Sequence, residues 1–297
     1  MTLLIAGGLL VRFGALSPMA AAAGAVGVFL AAHSGVIVAS FAISRRHAAA
    51  EPREPRRRRP SLLRIGIGEW LAYQALFVLI QPFERLWMGD DAVGHRRPAG
   101  IPVLLIHGYL CNRGAWWWLR RRLRAAGFAV ATVDLEPPLG SIDALADQLH
   151  ARIEALRAEA GADRVALVGH SMGGLAARAY LRRHGSSRVA RLVTLASPHH
   201  GTWLARYGPG ENARQMEPDG AWIRALPAAD PRVPTLTVWS PMDNFVAPQD
   251  SSRLGGAREQ ILPGLSHLAM LFSPVVLDVL TRELASSNLT AVGRPGP

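Results

Sequence analysis

The segment that most constrains the fold is Val165–Gly174, which reads Val-Ala-Leu-Val-Gly-His-Ser-Met-Gly-Gly. An apolar run enters Gly169 and helix-forming residues follow Ser171, so the pattern predicts a buried parallel strand that turns sharply into a helix. Glycines at 169 and 173 leave room where the backbone folds back on itself. A Gly-x-Ser-x-Gly pattern also occurs by chance in ordinary turns. With a strand before it and a helix after it, the pattern predicts Ser171 as a nucleophile in a turn formed by Gly169, His170 and Gly173.

The rest of the chain from 98 to 285 alternates strand and helix signals, which is typical of an open, mostly parallel sheet covered by helices on both faces. Besides the strand before Ser171, strands are predicted at Ile101–Ile106, Phe128–Val133, Arg191–Ala196, Thr235–Ser240 and Glu259–Leu262. A closing helix is predicted at Pro274–Ala285. The sequence therefore predicts an α/β catalytic domain at 98–285 and a flexible tail at 286–297.

A serine nucleophile needs a general base and an acid. His267 follows the last predicted strand by a few residues, and Asp243 follows the preceding strand by three. Because parallel strands end at the same edge of a sheet, both side chains are expected near Ser171. The order serine, aspartate, histidine is also the one expected when the nucleophile follows a strand in this way. Competing aspartates occur in turn or capping sequences, namely Asp219, Asp230 and Asp250.

Two backbone N–H groups are candidates for an oxyanion hole. One belongs to Met172, immediately after the nucleophile, and the other to Tyr109, after the His107-Gly108 pair that ends the first strand. A His-Gly pair alone is also common in ordinary strand-end turns. The sequence therefore assigns Met172 and Tyr109 to the oxyanion hole through their backbones.

Three motifs together resemble the bacterial lipase and esterase branch of the α/β-hydrolase superfamily: His107-Gly108-Tyr109, residues 169–174, and Ser-Pro-His-His-Gly-Thr at 197–202. The resemblance covers about Pro98 to Ala285. It implies an α/β-hydrolase fold and cleavage of carboxylic esters, either lipid-like or short-chain, without a cofactor. It also implies that Ser171 is acylated and that Asp243 and His267 complete a triad. The alternatives are an acyltransferase or thioesterase with the same triad, and an inactive membrane scaffold.

The segment between Pro198 and Pro234, where such hydrolases often carry a lid, is short and rich in glycine, proline and charge. The apolar side chains expected to cover a site there are Trp203, Leu204, Trp222, Ile223 and Leu226. Such a small cap suits esters or lipids delivered from a nearby bilayer.

Composition argues against several other functions. The formal net charge is +11, but every basic residue apart from histidine is arginine and no basic stripe alternates with aromatic residues, so no nucleic-acid partner is predicted. Cys111 is the only cysteine, which excludes a disulfide within the chain. Adjacent histidines such as His199 and His200 point apart, so no metal site is predicted. His184 lies at a helix end, where a structural role is expected.

Residues 1–44 predict one or two transmembrane segments. Arg12 is their only formally charged side chain, and Ala20–Ser44 exceeds the run of about 18 apolar residues expected of a spanning helix. A signal peptide is the alternative, but its positive region would depend on Arg12 alone and the apolar run is too long. Residues 45–61 form a basic proline and arginine linker, so the positive-inside rule predicts an inner (plasma) membrane protein of a bacterium with a cytoplasmic catalytic domain.

Residues 62–97 contain a third apolar stretch, whose uncharged centre, Trp70–Phe83, is shorter than a bilayer requires. We expect an interfacial or domain-packing helix there, followed by a connector. The predicted partners are therefore an ester substrate and membrane lipids, while the sequence names no protein partner.

Overall fold

A computed structural model of the chain describes residues 17–48, 61–91, 93 and 100–292, with side chains to residue 286. The predictions for residues 1–16, for the linker at 49–60 and for the last residues, 293–297, lie outside the described residues. The fold that positions the site is built from the remainder.

Six parallel strands in the described part of the chain form one sheet, in the order β2-β1-β3-β4-β5-β6. The strands are β1 Val103–Ile106, β2 Val130–Val133, β3 Val165–His170, β4 Val189–Leu195, β5 Thr235–Trp239 and β6 Arg258–Ile261. Each lies within two residues of its predicted bounds. Since β3 lies third in this order and all strands run the same way, the chain leaving β3 shares an edge of the sheet with the chains leaving β1, β5 and β6.

The helices cover both faces of this sheet. They are α1 Pro18–Arg46, α2 Leu62–Gln74, α3 Glu84–Met88, α4 Trp117–Ala125, α5 Ile142–Ala160, α6 Met172–His184, α7 Glu211–Gln215, α8 Ala221–Arg224 and α9 Pro274–Val292. A π-helical segment at Ala75–Ile80 and a 3-10 turn at Gln81–Phe83 join α2 to α3. The predicted cap of α5 is present, with Ser141 Oγ accepting the N–H of Ala144 at 3.3 Å.

Side chains alternate between the two faces of β1, as the period of a strand requires. Leu104 and Ile106 join the core beneath α5 and α6, whereas Val103 and Leu105 join the core on the opposite face. That second core includes α4, α9 and apolar residues of the segment from α2 to the π-helix, such as Leu76. The helices before residue 98 therefore cover part of one face of the sheet.

Helix α9 continues beyond the predicted end at Ala285, because no glycine or proline interrupts the sequence before Gly293. Residues 286–292, which the sequence assigned to the tail, thus belong to this helix.

Helix α1 divides into two parts. No residue from Pro18 to Val36 is buried, whereas Ile37, Ser40 and Ser44 are buried against the rest of the protein. Contacts with α2 join the helices near the middle of α1, where the Trp70 indole N–H donates to Ser34 Oγ at 3.0 Å. Two helical stretches of the described residues, 18–46 and 62–88, have the length and apolar composition of a membrane-crossing helix.

Candidate active site

Ser171 lies at the turn between β3 and α6 with φ +56° and ψ −125°. Residues other than glycine rarely adopt such a backbone conformation. It persists only where the surrounding structure holds it. The surroundings do so here, since a Cβ on Gly169 would lie 2.5 Å from the nitrogen of Gly174 and a Cβ on Gly173 would lie 2.7 Å from the carbonyl oxygen of His107. The N–H of Ser171 donates to the carbonyl of Leu195 at 2.8 Å. Neighbouring backbone thus leaves space only for glycine on both sides of the serine.

His267 and Asp243 form a buried pair at the same edge of the sheet. His267 Nδ1 lies 2.9 Å from Asp243 Oδ2 and 3.1 Å from Oδ1. The carboxylate is itself fixed, because Oδ1 accepts the N–H groups of Phe245 and Val246 at 2.8 and 2.9 Å. A carboxylate accepts only, so Nδ1 carries a proton and Nε2 is left free.

The charges around His267 favour its protonated form. Burial alone would lower the pKa of the imidazole, but the negative charges of Asp243 and Glu69 and the hydrogen bond to Asp243 outweigh burial and raise the pKa above its ordinary value of 6.5. A raised pKa strengthens the imidazole as a proton acceptor, which suits a general base.

The three competing aspartates lie elsewhere. Asp219 occupies a turn with φ +59°, and Asp250 lies exposed on a 3-10 helix at Gln249–Ser252. Asp230 bonds Arg232, and this hydrogen bond holds the pKa of that carboxyl well below its usual range. In the described part of the chain, Asp243 is the aspartate that contacts His267.

Ser171 and His267 line one cavity of about 450 Å³, whose walls are mostly apolar. Both residues are described, and no hydrogen bond joins the serine hydroxyl to the imidazole in this structure. Catalytic hydrogen bonds are often long before substrate binds, so the shared cavity is the relevant geometry.

The predicted oxyanion donors lie at the two strand ends nearest Ser171. Met172 begins α6, where backbone N–H groups have no partner within the helix. Tyr109 follows Gly108, whose added Cβ would lie 2.9 Å from Ser171 Cβ, so the backbone of this turn lies against the serine.

His107 fixes the peptide that carries the Tyr109 N–H. Its Nδ1–H donates to the carbonyl of Gly108 at 2.9 Å, while Nε2 accepts the N–H of Leu135 at 3.1 Å. Burial lowers the pKa of His107, which agrees with the neutral ring that these two bonds require. The histidine thereby holds the Gly108–Tyr109 peptide in one orientation.

His170 and His199 are buried histidines with structural contacts. The His170 ring lies 4.6 Å from the His267 ring, centroid to centroid, and its Nε2–H donates to the His267 carbonyl at 3.2 Å. His199 Nε2 lies 2.9 Å from the hydroxyl of Thr194. Burial lowers the pKa of both imidazoles well below the usual value. Among the described residues, no group of three or more His, Cys, Asp or Glu side chains forms a metal site.

The segment between Pro198 and Pro234 covers the cavity differently from the sequence expectation. Leu204 lines it, but Ile223 and Leu226 are buried in the core beneath α5 and α6. Trp222 donates its N–H to Asp143 on α5 at 2.8 Å, and Trp203 stacks on His47 at the end of α1. These four side chains pack against neighbouring helices, because burial there removes more of their apolar surface from water.

Sequence reasoning missed the residues that hold the loops bearing the acid and the base. The Glu69 carboxylate on α2 accepts the N–H groups of Leu268 and Ala269, at 2.9 to 3.1 Å. Burial raises the pKa of Glu69, while nearby His267 and these N–H groups oppose the rise. A lone carboxylate within an apolar helix was the available signal, since such a group is buried only when it has partners.

Helix α1 contacts the same loops. Ser44 Oγ donates to the carbonyl of Asp243 at 2.9 Å, and the Asn244 amide donates to Ser40 Oγ at 2.8 Å. Asn244 Oδ1 in turn accepts the N–H of His267 at 3.3 Å. Serines are ordinary in apolar helices, so the sequence contains no signal for these contacts.

Comparison with known proteins supports the fold. A family model described as alpha/beta hydrolase fold matches residues 101–212. Two solved structures share the fold: Aspergillus fumigatus lipase B, at TM-score 0.59, 21% identity and coverage of 66% of this chain and 55% of the other, and Bacillus licheniformis lipase BlEst2 in its mature form, at TM-score 0.58, 19% identity and coverage of 65% and 96%. The chain has the α/β-hydrolase fold.

The chain is also similar to a triacylglycerol lipase of Pseudomonas fragi, with 32% identity over 121 residues. The match covers 39% of this chain and 39% of that relative, so it spans well under half of either protein. The matched family region contains Ser171, Tyr109 and Met172 but ends before Asp243 and His267. The predictions for Asp243 and His267 therefore depend on their geometry and not on this similarity.

Proposed function

We propose that this chain is a membrane-attached carboxylic ester hydrolase that forms an acyl-enzyme on Ser171. The observation that carries the proposal is the 2.9 Å contact of Asp243 Oδ2 with His267 Nδ1, in a cavity that His267 shares with a serine in a strained turn. Nucleophile, base and acid are then three residues whose neighbours fix their backbones. Similarity to lipases and esterases supports an ester as the substrate.

The reaction divides into two acyl transfers. His267 Nε2 takes the hydroxyl proton as Ser171 Oγ attacks the ester carbonyl, and Asp243 stabilises the imidazolium that forms. The N–H groups of Met172 and Tyr109 bind the oxyanion of the tetrahedral intermediate. When the intermediate collapses, the alcohol leaves with the proton from His267. Water then repeats these steps on the acyl-enzyme and releases the carboxylic acid.

Cys111 also lines the cavity, but its environment disfavours thiolate chemistry. Burial raises the pKa of the Cys111 thiol to about 12, so the thiolate form that attacks carbonyls is scarce at neutral pH. The serine is thus the favoured nucleophile.

The membrane part of the proposal depends on α1 and the basic residues after it. The exposed, apolar residues 18–36 precede Arg45, Arg46 and a proline and arginine linker, which favours a membrane anchor with the catalytic domain on the cytoplasmic side. The protein should remain in the membrane pellet after carbonate extraction, and protease added outside intact cells should not cut it. Release by carbonate would contradict the anchor, and digestion from outside would reverse the orientation.

A fluorophosphonate probe tests the catalytic part. The full chain in detergent should be labelled at Ser171, as peptide mapping will show, and Ser171→Ala should lose both the label and the turnover of p-nitrophenyl acetate. A folded, unlabelled wild type would favour the inactive scaffold. Product analysis with an added alcohol or thiol acceptor separates a hydrolase from an acyltransferase, and a thioester substrate tests the thioesterase alternative.

A further inference from the structure

Helix α1, which lies outside the matched family region, forms one wall of the cavity that contains Ser171. Val36, Ala39 and Ile43 on α1 line it, and Tyr73 and Phe77 line it from α2 and the π-helix. The three α1 positions are spaced by three and four residues, so they lie on one face of the helix. Part of the substrate pocket is therefore built by the segment with the composition of a membrane anchor.

Contacts at its carboxyl end hold α1 in this place. Ser40 bonds Asn244, Ser44 bonds the carbonyl of Asp243, and His47 stacks on Trp203 with 4.3 Å between ring centroids. All three partners belong to the loops that surround the cavity. The wall is thus fixed to the same loops that carry the acid and the base.

The other end of α1 is exposed and apolar. Residues 18–36 span about 28 Å at 1.5 Å per residue, close to the thickness of the hydrocarbon core of a bilayer. Val36 is 43% exposed and also lines the cavity, so the apolar surface of the helix continues into the pocket.

We propose that α1 is one wall of an acyl-chain site, and that this site takes the long, unbranched acyl chain of an ester drawn from the bilayer that holds α1. The proposal rests on the proposed ester hydrolase. The apolar walls remove the chain from water, while the ester group reaches Ser171 and His267. The same helix then serves as anchor and as part of the substrate site.

The first test is chain-length preference, measured as the ratio of kcat/KM for p-nitrophenyl laurate to that for p-nitrophenyl acetate. Ala39→Trp fills the cavity wall, so we expect this ratio to fall by about tenfold or more, the size that small changes in an apolar pocket produce. Val38→Trp is the matched control, because Val38 is 68% exposed and not part of the wall, and it should keep the wild-type ratio.

A second variant guards against misfolding of Ala39→Trp. Ile43→Ala enlarges the cavity and should raise the preference for palmitate over laurate by about threefold or more. Wild-type ratios in both Ala39→Trp and Ile43→Ala would contradict the proposal that α1 forms a wall of the acyl-chain site. A wild type that hydrolyses no ester would instead contradict the proposed function.

The source of the chain is tested with the full-length protein in phosphatidylcholine vesicles. p-Nitrophenyl palmitate is placed either in the same vesicles as the protein or in separate vesicles mixed with them. Entry from the bilayer predicts an initial rate at least about tenfold higher in the first arrangement, because long acyl chains leave a bilayer slowly. Equal rates would overturn bilayer entry.

Discussion

The turn at Ser171 and the helices before residue 98 both shape the active site, but they are specified in opposite ways. At the turn, glycines at neighbouring positions are required by backbone atoms that an added Cβ would strike. Helices α1 and α2 instead contact the loops of the site through polar side chains such as Ser44 and Glu69, whose partners lie 199 residues further along the chain. The glycines of the turn can be recognised in a local sequence motif. The contacts of Ser44 and Glu69 form only once the chain has folded.

Gly173→Ala should disrupt the turn at Ser171 more than the other substitutions. Its Cβ would collide with the carbonyls of Ile106 and His107, so the free energy of unfolding should fall by about 3 kcal/mol or more. Gly68→Ala on α2 is the control, because an added Cβ there meets nothing and alanine favours a helix. Chemical denaturation in detergent measures both. Unchanged stability in Gly173→Ala would show that the turn is not held as described.

Asp243→Asn tests the acid at the sheet edge. The asparagine amide favours the wrong imidazole tautomer, and the same substitution in a serine protease lowers turnover by about 10⁴. We expect kcat to fall by at least about 100-fold here. The exposed Asp250→Asn should stay near wild type. If Asp250→Asn lost its activity while Asp243→Asn kept a near-normal kcat, the catalytic acid would be Asp250.

Glu69→Gln tests whether α2 contributes to the catalytic loop. A charged acceptor of two backbone N–H groups becomes a neutral amide, so we expect kcat/KM for p-nitrophenyl acetate to fall by about tenfold. Asp163→Asn, at an exposed carboxylate far along the chain from this loop, should have no effect. Full activity in Glu69→Gln would leave α2 with a packing role alone.

Ser44→Ala should have the smallest effect. It removes the hydrogen bond that Ser44 Oγ donates to the carbonyl of Asp243 and the one that it accepts from Gln249 Nε2 at 2.6 Å. Gln249 Nε2 still donates to the carbonyl of Asp243 at 3.1 Å. We therefore expect a loss of about 1 kcal/mol in stability and a change of a few-fold in kcat. The exposed Ser187→Ala is the control. A loss as large as that of Asp243→Asn would mean that α1 positions the acid directly.

Much of the α/β-hydrolase fold followed from the sequence. The strand before Ser171 and the expectation that glycine is needed on both sides of the serine depend on local backbone geometry, and the sheet confirmed the parallel fold. Asp243 and His267 were placed near each other by the rule that parallel strands end at one edge, and the structure has them 2.9 Å apart. Their catalytic roles stay predictions.

The remaining features depend on distant contacts that no local pattern encodes. Trp222 and Ile223 have the composition of a cap, yet they pack on α5 and in the core because that surface is available only in the folded chain. Likewise, an apolar α1 predicts a membrane segment but not that Ala39 and Ile43 line a catalytic cavity.

The most direct test of the account is the pH dependence of fluorophosphonate labelling of Ser171 in the wild type and in Glu69→Gln. The labelling rate should rise with pH as His267 loses its proton. We expect the midpoint of this rise above pH 6.5, because Asp243 and Glu69 raise the pKa of His267 against the effect of burial. His170 also contacts His267, and burial lowers the pKa of its imidazole well below the usual value, which favours the neutral ring. Removing the charge of Glu69 should shift the midpoint to lower pH. An identical midpoint in both proteins would contradict the effect of Glu69 on the pKa of His267.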